Sequence, residues 1–302
     1  MNGSSRGASS APSSPRLFAT AAAAGIAAMR EWRLLLLWVL LSLLPTLVMA
    51  LPVFRLLGAL DYSVQAPALA GELDMVALAD LVQHYNRSGA ALPLAALLAL
   101  ALTLILSPFL TGMAVSAARA ETRLSVGALA AGGLQEYPRM ARMLVVALLP
   151  LIAAALLGGA ARGMADRYAE TALLASKAAS ASLAASIVMA VLLVLAHASI
   201  DAARAHLALD RRRRSAFKAW WHGCKQVARR PLATLVAYLP LTLIALVVAA
   251  ALSLARVHLP HVDGAGLVAA FVLTQLIVLV LAWMRTARLF AMIGLARKLA
   301  AS

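Results

Sequence analysis

The chain alternates long apolar stretches with short polar ones, and the lengths of the apolar stretches decide the class of fold. A helical residue adds about 1.5 Å of rise, so about 20 apolar residues cross a hydrocarbon layer about 30 Å thick. Six runs meet that length, at about residues 34–56, 93–117, 143–162, 181–203, 233–255 and 265–290. None alternates like a barrel strand, and backbone groups in lipid have only internal partners, so all six are predicted to be helices. The expected fold is all-α, a polytopic membrane helix bundle forming one domain over residues 17–302. Residues 1–16 (MNGSSRGASSAPSSPR) are rich in Ser, Gly and Pro without apolar periodicity, which predicts a disordered tail. Leu17–Met29 is apolar but short, and is expected to lie along the membrane surface. The first long run exceeds the apolar region of a cleaved signal and reads as an uncleaved anchor.

A longer period overlies the helical one. Pro45, Pro150 and Pro240 each fall well inside an odd-numbered run, at the same offset from Thr20, Ser125 and Ser215. Between the last two pairs of markers, SVGALAAGGLQEYPRMARMLVVALLPL (125–151) parallels SAFKAWWHGCKQVARRPLATLVAYLPL (215–241). The preceding runs end alike, in AARA at 117–120 and 202–205 and TAR at 286–288. The implied unit is a basic surface helix, a proline-bearing span, an outer connection and a returning span, used three times. Such units enter the bilayer in one direction and would be related by a pseudo-threefold axis if they pack in a ring. An interior proline removes a backbone bond, so each odd helix is expected to bend, with either a shared cavity or simple curvature as the result. Gly159 and Gly163 form a G-x-x-x-G pair that predicts a close helix contact, and residues 163–180 are expected to form an outer connection.

Composition agrees with the class: 63% of residues are hydrophobic and 13% charged, against about 45–50% and 25% in soluble domains. The net charge of +15 does not indicate nucleic acid, because the basic residues sit at the ends of apolar runs, where anionic lipid is the partner. Twenty-one lysines and arginines fall in the odd-numbered polar segments and four in the intervening loops. By the positive-inside rule, both termini are expected in the cytoplasm, in a bacterial inner membrane. Cys224 is the single cysteine, so no intramolecular disulfide is possible.

The most basic segment, 206–230, carries Arg211, Arg212, Arg213, Arg214, Lys218, Lys225, Arg229 and Arg230. Helical spacing from Phe217 brings Trp220, Trp221 and Cys224 to one side, which predicts an aromatic face seated in an anionic leaflet with cations around it. Each such cation is worth about 1 kcal/mol near an anionic surface. The alternative is an arginine platform for a phospholipid head group, a nucleotide or a protein. The first outer loop is acidic (Asp61, Glu72, Asp74, Asp80), and 72–86 reads as an amphipathic helix on the outer surface.

Candidate chemistry is sparse. His258, His261 and Asp263 have donor types and spacing for one metal ion, but Pro260 and Gly264 make the segment a turn, where such residues are common anyway. His222 and Cys224 supply two donors without a third. His197 and Asp201, at i and i+4 in the fourth run, are either a proton relay or a structural pair holding a neighbouring helix through Arg285 or Arg288. No P-loop, G-x-S-x-G, H-E-x-x-H or dinucleotide motif occurs, and no carboxylate pair lies within a run. No enzyme activity and no cofactor are expected.

The layout resembles the YciC-like family of bacterial inner-membrane proteins of uncharacterised function, and the membrane domain fused to some glycerophosphodiester phosphodiesterases. The likeness rests on six spans, VALADLVQHY (76–85), SAARAETRLSVGALAAGG (116–133), DRRRRSAFKAWWHGCKQVARRPLATL (210–235) and MRTARLFAMIGL (284–295). The resemblance implies a membrane domain tied to lipids or envelope maintenance, with no catalytic residues to carry over. The leading expectation is a non-enzymatic protein whose partners are membrane lipids, especially anionic phospholipids, or another membrane protein. A transporter or flippase with a cavity at the bent odd helices comes second, and an intramembrane enzyme third.

Overall fold

A computed structural model of the chain describes residues 14–58, 83, 91–172, 174–212, 215–259 and 264–301. Eight helices follow in order among them: α1 (Ser14–Arg30), α2 (Trp32–Gly58), α3 (Ala91–Arg119), α4 (Val126–Thr171), α5 (Ala175–Leu209), α6 (Ala216–Arg229), α7 (Pro231–Val257) and α8 (Gly264–Ala301). No strand occurs among the described residues. Six of the helices, α2, α3, α4, α5, α7 and α8, are long and apolar enough to cross a membrane, and each contains one of the six expected runs. The chain is an all-α, multi-pass membrane bundle, with α1 and α6 as its shorter surface helices. The acidic segment 72–86 lies, apart from Gln83, outside the described residues.

Two boundaries differ from expectation. The basic segment at 126–142 does not form a helix of its own: α4 runs unbroken for 46 residues through Pro138 and Pro150. At the matching offset, the third unit does break. Arg230 leaves helical geometry (φ −135°, ψ 60°) and serves as both the end of α6 and the cap of α7. Pro231, at the first turn of α7, has no N–H for the preceding turn, and its ring opposes the carbonyl four residues back. Ala141 occupies that offset in α4 and lets the helix continue. The outer connection at 163–180 is also mostly helix, since α4 reaches Thr171 and α5 starts at Ala175. Asp166, Arg167, Glu170 and Lys177 make that stretch too polar to count as span, yet its alanines and serines are good or neutral helix residues.

Pro45, Pro150 and Pro240 all sit inside helices that continue past them. Each of the basic helical segments packs on the returning helix of the unit before it: the first part of α4 on α3, α6 on α5, and α1 on α8. The last of these closes the chain on itself. It is pinned by Trp283 Nε1 donating to Gly25 O (2.9 Å) and Lys298 Nζ donating to Thr20 Oγ1 (2.8 Å).

Small residues permit these crossings. A Cβ on Gly112 would lie 2.9 Å from Gly133 O, and one on Gly223 would lie 2.6 Å from Ser199 O and 2.9 Å from Ala203 N. Ala28, at the same offset in the first unit, is fully buried. By contrast, a Cβ on Gly159 or Gly163 would meet nothing within 4 Å. The expected G-x-x-x-G contact is therefore not made among the described residues. Gly223→Ala should force α6 away from a backbone that cannot yield, costing about 1–3 kcal/mol. A drop in the thermal midpoint of the detergent-solubilised protein checks this, with Gly159→Ala expected to leave the midpoint unchanged or raised.

The core gathers toward one end. Most fully buried side chains, including Leu34, Met113, Leu129, Met143, Leu207 and Met292, lie near the basic segments. Toward the opposite end, Leu97, Leu104, Leu156, Leu183 and Val247 are exposed, as a lipid-facing surface requires. The tight packing at the basic end is what holds the polar residues described next.

Candidate functional site

Two clusters of charge lie in the packed end. The first surrounds Glu136, on the part of α4 that crosses α3. This carboxylate is 4% exposed and accepts from Arg119 Nη1 through one oxygen and from Arg139 Nη1 (2.7 Å) through the other. The same two arginines reach the last turn of α5. Arg119 donates to Ala208 O (2.6 Å) and Leu207 O (3.2 Å), and Arg139 to Leu207 O (2.8 Å) and Asp210 O (2.6 Å). Carbonyls at a helix C-terminus have no intrahelical partner and carry partial negative charge, so cations there both satisfy and stabilise them. The cluster is a clasp joining α3, α4 and α5.

The second cluster centres on Asp201, 4% exposed on α5. Its Oδ1 accepts from Arg204 Nη1 at 3.0 Å, one turn further along the same helix. Its Oδ2 stands 3.3 Å from Arg288 Nε on α8. That contact lies within ion-pair range but lacks hydrogen-bond alignment, and both atoms are buried without a hydrogen bond. Arg288 instead donates through Nη1 to Tyr238 OH on α7 (2.8 Å) and lies over that ring, 4.6 Å from its centre. Asp201 thus ties α5 to α8, and Arg288 ties α8 to α7. His197, the other half of the expected pair, is exposed, and its Nδ1 lies 2.9 Å from Leu193 O of its own helix. The relay reading of His197 with Asp201 finds no hydrogen bond between the two.

A cavity of about 150 Å³ opens beside Asp201. Arg204, Arg285, Arg288 and His197 line it together with Ser107 and Thr111 of α3, while Trp38, Leu144 and Leu151 close its apolar sides. None of Pro45, Pro150 and Pro240 lines it, so the prolines do not open onto this polar space. Pro150 faces an apolar groove between α4, α5 and α6.

The basic segment at 211–230 takes a different form from the expected single aromatic face. In α6 the small residues Ala216, Ala219 and Gly223, with Gln226, are buried. Trp220 and Cys224 turn inward beside them, with Trp220 Nε1 donating to Ser199 Oγ (3.3 Å). Burial pushes the Cys224 thiol up, against a weaker opposing pull from its hydrogen bond with Ser199. Phe217 and Trp221 point outward, 53% and 52% exposed, among Lys218, Lys225 and Arg229. Lys225 Nζ lies 5.8 Å from the Trp221 ring centre. Arg211, Arg212 and Arg230 are exposed as well, whereas Arg213 and Arg214 lie outside the described residues.

Among the described residues, no group of three metal-ligating side chains comes together. His258 ends α7, but His261 and Asp263 are not among the described residues. His222 Nδ1 lies against Lys218 O on the exposed side of α6 (2.6 Å), away from the inward Cys224.

Arg204, Tyr238 and the Glu136 clasp were not singled out from the residues. A usable signal was present in the recurring AAR and TAR, which place Arg119, Arg204 and Arg288 alike, and each of the three reaches a carboxylate. Gln226 stands at the same offset from Ser215 as Glu136 does from Ser125. It is buried, with both amide atoms lacking hydrogen bonds among the described residues. With no carboxylate there, Arg204 pairs with Asp201 instead. No family model matches the chain, and no curated protein or solved structure matches it.

Proposed function

We propose that this chain is a non-enzymatic protein of the bacterial inner membrane, with both termini cytoplasmic, that binds anionic phospholipid at its basic end and serves as an accessory or scaffold for lipids or other membrane proteins. The observation that carries this reading is the outward face of α6. Phe217 and Trp221 are about half exposed beside Lys218, Lys225 and Arg229, on a helix whose opposite face is locked to α5. An amphipathic helix with aromatics at the boundary and cations around them is what seats in an anionic interface. The orientation follows from the excess of lysine and arginine at this end. The fold is then three parallel hairpins related by a pseudo-threefold axis, a reading supported by the order in which α4, α6 and α1 pack on α3, α5 and α8. The likeness to the YciC-like family belongs to the same proposal.

Phospholipid that co-purifies with the protein in a mild detergent tests the reading. Enrichment of anionic over zwitterionic lipid relative to the source membrane is expected, and the quadruple substitution Phe217→Ala, Trp221→Ala, Lys218→Gln and Lys225→Gln should reduce it severalfold. Lipid of bulk composition, unchanged in that variant, overturns the reading. A transport reading draws on the polar cavity beside Asp201, which is small and stands apart from the three prolines.

A further inference from the structure

The cavity beside Asp201 carries an imbalance of charge among the described residues. Three arginines, Arg204, Arg285 and Arg288, line it against one carboxylate, Asp201. Arg204 uses one oxygen of that carboxylate and Arg288 approaches the other. Arg285 has no carboxylate within ion-pair range among the described residues and is exposed at the cavity rim with His197, while Arg288 and Asp201 form the floor. The buried Nε of Arg288 also lacks a hydrogen bond. Thr111 and Ser107 add hydroxyls on the α3 side. Cations within helices of a membrane bundle are costly unless paired, so the guanidinium left over here, Arg285, with the unbonded Nε of Arg288 beside it, calls for an anion from outside.

Size and chemistry narrow that anion. At about 150 Å³ the space falls below the roughly 300–1,000 Å³ of sites for drug-sized ligands, which leaves out a nucleotide and admits one small oxyanion. Guanidinium groups match the oxygens of a phosphate through paired N–H donors, whereas a lone carboxylate would use only one arginine. Asp201 lies eight residues from the end of α5, roughly 12 Å along the helix, which places the arginines near the head-group level of the basic side. We infer that this cavity is a phosphate-binding site, with Arg285 and Arg288 as the binding groups, Arg204 and Asp201 as the framework that orients them, and a phosphate ester of a lipid head group or free phosphate as the ligand.

This inference stands apart from the outward face of α6, which would seat on anionic lipid with or without a phosphate in the cavity. Its test uses the full chain, delipidated by detergent exchange. Native mass spectrometry follows adducts with phosphatidylglycerol and with diacylglycerol, which lacks the phosphate. A thermal-shift titration compares inorganic phosphate with chloride at equal ionic strength. If the ligand is a lipid, one phosphatidylglycerol adduct forms, diacylglycerol forms none, and Arg285→Gln weakens the adduct roughly tenfold or more, the worth of one charge-assisted hydrogen bond. If the ligand is free phosphate, phosphate raises the wild-type midpoint, Arg285→Gln removes the rise, and lipid adducts match in both proteins. Arg167→Gln, an exposed change at the other end of the bundle, should alter neither readout. Binding of both ligands unchanged by Arg285→Gln, or absent from the wild type, overturns the inference. Among the described residues Arg285 makes no ion pair that the fold would lose; should Arg285→Gln nevertheless fail to assemble, Arg285→Lys, which keeps the charge but loses the paired donors, carries the same comparison. Surface lipid unchanged in the α6 variant, with cavity binding still sensitive to Arg285→Gln, overturns the surface reading alone; surface lipid lost in the α6 variant, with cavity binding unchanged by Arg285→Gln, overturns this one alone.

Discussion

Glu136→Ala is expected to destabilise the detergent-solubilised protein by about 3–5 kcal/mol, the cost of removing one partner from a buried ion pair. The size follows from what the carboxylate holds. Arg119 and Arg139 have side chains only 14% and 12% exposed, and both pair with this carboxylate. Without it, two guanidinium groups remain in the packed end and lose the carboxylate that they share. Their grip on the last turn of α5 through Leu207, Ala208 and Asp210 should loosen as well. Two readouts check this: a large fall in the thermal midpoint, and faster hydrogen exchange at the end of α5. Glu136→Gln should recover part of the loss, because an amide oxygen still accepts one donor. An unchanged midpoint in Glu136→Ala would show that the clasp contributes little.

Asp201→Leu should be nearly as damaging, at about 3 kcal/mol. Arg288 would keep its bond to Tyr238 and lose its one carboxylate among the described residues, and the cavity's three guanidinium groups would face no carboxylate in its lining. Arg204 is less affected, since its side chain is 24% exposed and can reach solvent or lipid head groups. A double-mutant cycle with Arg288→Met separates the pair from its surroundings. The double variant should be more stable than the sum of the single losses predicts, with a coupling of about 0.5–3 kcal/mol. Additive losses would mean that the 3.3 Å approach contributes no net attraction.

The six spans were legible from the chain because bilayer thickness imposes a length on every crossing helix, and runs such as 93–117 and 233–255 contain no charged residue. Helix ends beyond the apolar core were not legible in the same way. Hydropathy stops reporting where charged residues begin, as at residues 163–180, although the helices run on. The break at Arg230 and its absence at Ala141 depend on one proline, Pro231, which weighs little in a pattern read over twenty residues. Asp201 stood out as an ionisable group in an apolar run, and Arg288 was among the partners considered. Glu136 did not, because it sits in a segment already polar enough to pass for surface. Its burial comes from the crossing of α3 and α4 at Gly112 and Gly133, a tertiary fact that no local pattern reports. The split of the α6 aromatics has the same origin, since the small face formed by Ala216, Ala219 and Gly223 takes the protein side and leaves Phe217 and Trp221 outside.

At about 1.5 Å per residue, the 46 residues of α4 give a rod of roughly 69 Å, more than twice the hydrocarbon thickness of about 30 Å. Such a rod must project well beyond the lipid on at least one side. It has no joint comparable to the one at Arg230, so a torque applied to the projecting arm is delivered through the membrane. One unjointed arm among three basic segments also gives the molecule a unique azimuth. A partner that docks along that arm meets one orientation of the bundle, not three.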